Sequence, residues 1–275
     1  MLGKTSDAPC ENMLKKTEPA AVETLNSESQ STLFFVCDHA SNRLPSCLGN
    51  LGLSRPDLES HIGWDIGAAD LARRLSTIFS APLVLSGYSR LVIDCNRPLV
   101  SEGSIPLSSA GIDIPGNHNL SVDEIAARRE TFFRPYHNAI AALLDRRREV
   151  GQPTALISIH SFTPDYPGQQ RPWHIDFGYN RDRRLAGLLL ETEIDSDLVV
   201  GDNLPYKVED DSDYGIPQHG EKRGLPHVLV EVRQDTLSTD AAVDRWADRF
   251  KKVLTRLMPD ITRLAASSLP SKDHR

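Results

Sequence analysis

Short apolar runs rich in β-branched residues alternate along the chain with longer segments in which apolar residues recur at helical spacing. Runs of this length predict strands when polar or turn-forming residues bound them. They lie at residues 33–37, 83–88, 91–95, 155–160, 174–178, 198–201 and 228–232. The runs around Ile159 and Val230 are almost continuously apolar, which is typical of strands that helices cover on both faces. The pattern predicts a three-layer αβα fold of the α/β class, in which helices cover both faces of a mixed, mainly parallel sheet.

Two predicted helices have clear signals. Ser121 and Glu124 form a capping box, which satisfies free amides of a first helical turn, and Pro135 predicts a kink or break further along. Near the C-terminus, residues at helical spacing predict an amphipathic helix that covers one sheet face: Val243, Trp246, Ala247, Phe250, Leu254 and Leu257. The polar segments 98–119 and 203–225 predict loops that line or cover a binding site.

The two ends of the chain contain few large apolar residues. Residues 1–31 predict a disordered N-terminal arm, because such a composition buries too little apolar surface to offset the entropy of ordering. Residues 263–275 predict a shorter flexible tail for the same reason. Residues 32–262 are then expected to form a single domain, a length that one hydrophobic core can serve.

The net charge and the cysteine content exclude several classes of function. The net charge of −7 argues against nucleic-acid binding, and no apolar run reaches the length of a membrane span or a signal peptide. We therefore expect a cytoplasmic protein with no membrane partner. The cysteines show no CxxC spacing and are expected to be free thiols: Cys10, Cys37, Cys47 and Cys95. The alternative is that Cys37 or Cys95 acts as a nucleophile, but the apolar neighbours of both residues favour a structural role.

Polar side chains cluster at the carboxyl ends of four predicted strands, the edge at which parallel sheets bind ligands. They are Asp38 and His39, then Asp94, Asn96 and Arg97, then His160, and finally Glu231 and Arg233. A single histidine at a strand end is usually a structural group. Two histidines and a glutamate at equivalent positions favour metal-assisted hydrolysis, in which protein ligands leave a place for water and a further carboxylate takes the proton of that water.

Five ordered segments together resemble the N-formylglutamate amidohydrolase family. They are CDHASN at 37–42, GWDIGA at 63–68, SRLVIDCNRP at 89–98, SIHSF at 158–162 and VEVRQD at 230–235. The resemblance extends over about residues 33–240. The family is in turn similar in outline to the zinc carboxypeptidases and the acyl-amino-acid amidohydrolases, so the resemblance implies a zinc-carboxypeptidase-like fold.

The resemblance also implies roles for individual residues. His39 and His160 are expected to bind one divalent metal ion, zinc, and Glu231 is the expected catalytic carboxylate. Asn96 and Arg97 are expected to hold the carboxylate of a small-molecule substrate. Arg90 is assigned to the same carboxylate because a guanidinium group can bind it through two hydrogen bonds. The implied reaction hydrolyses N-formylglutamate, or a similar N-acyl amino acid, to the free amino acid and formate.

The third metal ligand departs from the carboxypeptidase pattern. That pattern has a glutamate three residues after the first histidine, where this chain has Asn42, a poor ligand for zinc. Asp65 is the preferred candidate because it is anionic, and His61 is the reserve. The alternative role for Asp65 is the N-cap of a helix that runs to about Phe79.

Other readings stay open at the level of sequence. The enzyme would be a peptidase or amidase if it acts on a different acyl-amino acid or a short peptide. A non-catalytic module that binds an amino acid or a protein partner is the competing class, although binding alone has no need of Glu231. His219, in the second long loop, is a candidate proton donor to the leaving amine. The oligomeric state does not follow from the sequence.

Overall fold

The computed structural model describes residues 13–166 and 169–269. The strands are β1 Val22–Leu25, β2 Leu33–Cys37, β3 Leu83–Ser86, β4 Ser108–Ser109, β5 Ile112–Asp113, β6 Ala155–Phe162, β7 Asp165–Tyr166, β8 Gln169–Gln170, β9 Ile175–Gly178, β10 Val200–Asp202 and β11 His227–Arg233. The α-helices are α1 Arg55–Glu59, α2 Ala68–Ile78, α3 Val122–Arg128, α4 Arg134–Glu149, α5 Arg184–Leu190 and α6 Asp240–Ser267.

Seven strands form the main sheet in the order β1-β3-β2-β6-β11-β9-β10. The central strands β3, β2, β6 and β11 are parallel to their neighbours in this group. The edge strand β1 runs antiparallel to β3, and β9 runs antiparallel to β11 but parallel to β10. The sheet is therefore mixed and mainly parallel, as the apolar runs predicted. The pairs β4–β5 and β7–β8 lie outside it.

Alternate side chains of β2 show how both faces of the sheet are covered. Phe35 packs in a core cluster with residues of α2 and α6, whereas Phe34 packs in another cluster with residues of α4. The burial of both faces explains why the central strands are apolar at nearly every position. In α6, the predicted residues at helical spacing, Trp246 among them, are buried against the sheet. The three predicted layers are confirmed.

The predicted disordered arm of residues 1–31 is wrong over its described part. Strand β1 pairs with the edge of β3, and Met13 is buried. Glu23 accepts two hydrogen bonds of 2.6 Å from Arg73. This strand has only a weak sequence signal because backbone hydrogen bonds, rather than large buried side chains, hold it in place. Residues 1–12 lie outside the described part.

The predicted tail of residues 263–275 also begins too early, since α6 continues to Ser267 with Ile261 and Ala265 buried. Residues 270–275 lie outside the described part. The assignment of residues 32–262 to a single domain stays a prediction. In the parts of the chain that the structure describes, no helix has the length and apolar character needed to cross a membrane.

The apolar segment 91–95 is a buried turn and not the predicted strand. Leu91 and Val92 are fully buried in two small clusters beside the main sheet, which accounts for their apolar character without strand pairing. The buried Arg128 at the end of α3 donates to the Val92 carbonyl at 3.0 Å and to Asn117 Oδ1 at 2.6 Å. A buried arginine thus fixes the turn that carries Asp94 to Arg97.

The helical signals around residue 121 are confirmed. Ser121 Oγ accepts from the amide of Glu124 at 3.2 Å, and the Glu124 carboxylate accepts from the amide of Ser121 at 2.7 Å. The break predicted from Pro135 takes the form of a π-helical turn, Arg129–Phe133, which separates α3 from α4. Pro135 then occupies the first turn of α4, directly after the π-helical turn.

Candidate active site

Three of the predicted site residues meet at one edge of the sheet. His39 follows the end of β2, His160 lies in β6 and Glu231 lies in β11. Glu231 is the register partner of His160 in the parallel pair, so the two side chains project from the same face. All three are buried, with exposed fractions of 3%, 2% and 8% respectively. The predicted convergence of these strand ends is confirmed.

Asp65 lies between the two histidines. Its Oδ2 atom is 2.9 Å from His160 Nδ1 and 3.4 Å from His39 Nδ1. The two imidazole rings meet edge to face with their centroids 5.1 Å apart. One ligand atom from each of His39, Asp65 and His160 can be chosen so that all lie within 4.8 Å of one another. The cluster is therefore small enough for a single metal ion.

One further carboxylate lies on the far side of each imidazole ring. His39 Nε2 lies 2.7 Å from Asp94 Oδ1, and His160 Nε2 lies 3.1 Å from Asp38 Oδ2. Histidine ligands of metals usually donate their second ring hydrogen to a carboxylate, which fixes the tautomer and orients the ring. With Nε2 engaged in this way, Nδ1 of both rings faces Asp65. Two imidazole nitrogens and one carboxylate suit zinc and related divalent ions.

The electrostatics of the cluster favour a positive charge at its centre. Burial acts to raise the pKa of Asp65, but His39 and His160 outweigh it and hold that pKa well below its ordinary value. Burial acts to lower the pKa of His160, but Asp38 and Asp65 outweigh it and raise that pKa well above its ordinary value. Buried carboxylates thus draw protons onto the imidazoles, and a cation can take the place of those protons.

Glu231 differs from the other carboxyl groups of the site. Burial raises its pKa to about 8, with His160 acting in the opposite direction and Asp65 in the same direction. Its Oε2 atom is buried and has no hydrogen-bond partner in the described part of the chain. A carboxyl group with a high proton affinity and a free oxygen is suited to accept and release a proton.

Of the three candidates for the third metal ligand, only Asp65 lies in the cluster with His39 and His160. Helix α2 has Gly67 as its N-cap, so the capping role considered for Asp65 is wrong. Gly67 has a φ of 78°, and an added Cβ would lie 2.5 Å from Leu237, which excludes larger residues there. His61 lines the cavity but does not belong to the cluster, and Asn42 is absent from the cavity lining. Asp65 is therefore the candidate that fits the geometry.

Arg90, Asn96 and Arg97, the predicted clamp for a substrate carboxylate, all line the cavity. Each member already has a partner within the protein. Arg90 donates to Asp94 Oδ2 through Nε at 3.1 Å and Nη2 at 2.7 Å. Arg97 donates to the Ser212 carbonyl. The Asn96 side chain accepts from the amide of Gly215 at 2.9 Å.

A cavity of about 530 Å³ opens in front of the cluster and is bounded by both long loops. Residues 109–110 of the first loop and residues 205–209 and 212–213 of the second contribute to its lining. Tyr166 and Tyr206 form part of the wall. Sequence reasoning missed both tyrosines, because Tyr166 lies in a strand of only two residues and Tyr206 in a loop, and neither belongs to a motif. It also left Asp38 and Asp94 without roles, although each stands beside a predicted strand end.

Two other sequence hypotheses find no support in the structure. His219 is buried and hydrogen-bonded to His137, with Nε2 2.9 Å from His137 Nδ1, and it does not line the cavity. The role of His219 as a donor above the cleft is therefore wrong. Cys37 and Cys95 are buried, and burial raises the pKa of both thiols well above their ordinary value. The buried cysteines Cys37 and Cys95 are free thiols, as expected.

Fold and site together define the class: an α/β protein with a buried His-Asp-His cluster at the carboxyl edge of a mainly parallel sheet. The family model of N-formylglutamate amidohydrolase matches residues 31–238, and the chain belongs to this family. It is therefore an enzyme that hydrolyses amide bonds. The resemblance seen in the five sequence segments is confirmed.

Solved structures agree with this assignment. The gene product Atu2144 from Agrobacterium tumefaciens is 34% identical, with a TM-score of 0.88 over 91% of this chain and 99% of the other. The N-formylglutamate amidohydrolase from Ralstonia eutropha JMP134 is 17% identical, with a TM-score of 0.65 over 89% of this chain and 99% of the other. The second likeness shows the shared fold. A comparison with curated proteins gave no match.

Proposed function

We propose that this amidohydrolase is metal-dependent and cleaves an N-acyl amino acid similar to N-formylglutamate, giving the free amino acid and formate. The observation that carries the proposal is the cluster of His39, Asp65 and His160, with Glu231 on the neighbouring strand. Amide hydrolysis follows from the family. The metal, the substrate and the residue roles are the proposed part.

The proposed cofactor is one zinc ion held by His39, Asp65 and His160, since imidazole and carboxylate donors in this number are typical of catalytic zinc. When bound, such an ion polarises the carbonyl group and lowers the pKa of water from about 15.7 towards 7. Asp38 and Asp94 keep the two imidazoles oriented through Nε2. Their contribution is to hold the ligands in place before the ion arrives.

Glu231 is the proposed general base and acid. The attacking water gives its proton to the Glu231 carboxylate as its oxygen bonds to the acyl carbon, and Glu231 passes that proton to the leaving nitrogen as the C–N bond breaks. The high proton affinity of Glu231 supports the first transfer, and the free Oε2 atom supports the second. Its place on a central strand holds it rigidly beside the cluster.

Arg90, Asn96 and Arg97 are proposed to bind a substrate carboxylate, because they bring two guanidinium groups to one cavity wall. Their internal partners Asp94 and Ser212 compete with a substrate for the same hydrogen bonds. A cavity of about 530 Å³ also accommodates larger acyl groups or a short peptide. Peptidase or amidase activity of that kind is the second candidate.

The proposal is tested with a panel of N-formyl, N-acetyl and longer N-acyl amino acids. The chelated protein is assayed alone and after addition of zinc, cobalt or manganese. We expect no turnover without metal and the highest kcat/KM for a small acyl group on an acidic amino acid. Preference for peptides would favour the second candidate. Binding of amino acids without turnover under any metal would indicate a binding module instead.

A further inference from the structure

Arg171 lies beside the cavity in an aromatic cage. Its guanidinium carbon is 4.7 Å from the centroid of the Tyr166 ring and 4.6 Å from that of Tyr206. The Phe162 ring is 6.0 Å away. These three aromatic residues all line the cavity, and Arg171 itself is only 4% exposed. Aromatic faces attract a guanidinium group and fix its plane.

The cage supplies no negative charge. In the described part of the chain, Arg171 forms no ion pair, and its buried Nε has no hydrogen-bond partner. Its side chain forms a long hydrogen bond of 3.4 Å from Nη1 to the Thr163 carbonyl and a further hydrogen bond with the neutral Tyr206 side chain. Burying a charge without a counter-ion costs free energy. The presence of Arg171 in this cage therefore indicates that the ligand supplies the anionic partner.

The surroundings of Arg171 distinguish it from the arginines of the predicted clamp. Arg90 is bound to Asp94, and Arg97 lies 3.7 Å from Asp213, so a substrate must compete with a protein carboxylate at either. Among the described residues, no carboxylate forms an ion pair with Arg171. Burial, followed by the charges of Arg90 and Arg171, lowers the pKa of His61, which lines the cavity. Both guanidinium groups therefore act on the same part of the cavity.

We propose that Arg171 is a substrate-anchoring residue that binds one carboxylate of the N-acyl amino acid through the edge of its caged guanidinium that carries the unpartnered Nε. The inference rests on the proposed function and adds a determinant of specificity that lies in none of the five sequence segments. An N-acyl acidic amino acid offers two carboxylates, one on the α-carbon and one on the side chain. The test distinguishes these two sources of the same chemistry.

The experiment compares N-formylglutamate with its two monoamides, N-formylglutamine and N-formylisoglutamine, in the parent and in Arg171→Gln and Arg171→Lys. We expect the parent to prefer a carboxylate over an amide at the anchored position. In Arg171→Gln that preference should fall by about tenfold to several hundred-fold, mainly through KM, because a charged hydrogen bond is lost. Arg171→Lys should retain part of it, since it keeps the charge without the planar fork. The amide that loses its disadvantage identifies the anchored carboxylate.

The matched control is Arg249→Gln. Arg249 also stacks on an aromatic ring, 5.2 Å from the Trp246 centroid, but it pairs with Asp195 at 3.0 Å and lies outside the cavity. Its substitution should leave the preference for carboxylates unchanged. If Arg171→Gln and Arg171→Lys are as selective as the parent, Arg171 merely ties its loop to Thr163 and the inference is overturned.

Direct binding separates this inference from the proposed function. Calorimetric titration with glutarate, a dicarboxylate without an amide bond, should show binding to the parent and to Arg249→Gln and at least tenfold weaker binding to Arg171→Gln. This pattern without hydrolysis of any N-acyl amino acid would support the anchor while refuting the proposed reaction. Hydrolysis with equal glutarate binding in all three proteins would refute the anchor alone. Should Arg171→Gln not fold, the same comparison with Arg171→Lys decides.

Discussion

Glu231 and His160 lie directly opposite each other on the parallel strands β11 and β6. This pairing sets the distance between the proposed proton-transferring group and the histidine cluster through the backbone ladder at the centre of the sheet. On its other side Glu231 is paired with Asp176 of β9, a buried carboxyl group whose pKa burial raises to about 7. Glu231 therefore lies between an imidazole and a second protonatable carboxyl group, in surroundings that favour its holding a proton.

Metal binding should depend on the histidines and not on Glu231. His39→Ala or His160→Ala removes one of three clustered ligands, and we expect each variant to lose bound metal in elemental analysis after purification. Glu231→Gln should retain it, because Glu231 lies outside the cluster. His118→Ala, an exposed histidine paired with Asp113, is the control. Equal metal content in all four variants and the parent would refute the assigned ligands.

Turnover should depend on Glu231. We expect metal-loaded Glu231→Gln to fold normally and to show a kcat lower by about 100-fold or more, with KM little changed, because the lost proton transfer belongs to the transition state. Steady-state kinetics on the best substrate of the panel provide the measurement. A kcat within about tenfold of the parent is less than the usual contribution of a general base and would remove Glu231 from the mechanism.

Substrate binding should depend on Arg97. Its proposed carboxylate partner is charged in the ground state and the transition state alike, so Arg97→Ala should act mainly on KM. Loss of a charged hydrogen bond of about 2 to 4 kcal/mol lowers kcat/KM by roughly thirty-fold to several hundred-fold. The control is Arg146→Ala, whose exposed side chain pairs with Glu28. Reduced thermal stability with an unchanged KM would show that Arg97 only holds the Ser212 loop.

His137 and His219 should each lower stability in mild acid, whereas the raised pKa values of His160, Asp176 and Glu231 act in the opposite direction. Burial lowers the pKa of His137 to about 4 and that of His219 to about 3, whereas the ordinary value is 6.5. Below pH 6.5 the unfolded chain binds protons that the folded chain does not, so each histidine lowers the free energy of unfolding by about 1 kcal/mol per pH unit. The loss begins near pH 6.5 and continues to about pH 4. In urea denaturation at pH 7.5, 6 and 5, the free energy of unfolding of the parent should fall relative to that of His219→Gln as the pH is lowered. A difference that does not change with pH would contradict the assignment.

The N-terminal residues should contribute to stability from Met13 onwards. A chain lacking residues 1–26 loses β1, the pairing with β3 and the Glu23–Arg73 ion pair, and we expect clear destabilisation. Limited proteolysis should likewise leave a resistant core that retains Val22–Leu25. Ready cleavage between residues 22 and 31 in the native protein would refute this.

The sequence by itself determined the features that depend on local periodicity and on strand ends. Continuous apolar runs identified the central strands, and the Ser121 capping box and the spacing of α6 identified two helices, because each signal lies within a few neighbouring residues. His39, His160 and Glu231 were found for a related reason. Parallel strands of one sheet bring their carboxyl ends to the same edge, so residues distant in the chain converge by topology alone.

Only the tertiary structure decided features that depend on contacts between distant segments. Residues 91–95 carry a strand-like apolar pattern, yet they form a turn. Burial in the small clusters beside the main sheet requires the same apolar residue types as burial in a strand. Strand β1 has little apolar character, yet backbone pairing with β3 orders it. The choice between a cap and a ligand for Asp65 required its distances to both imidazoles. The cage around Arg171 joins three separate segments, and no local pattern in any of them records that they meet.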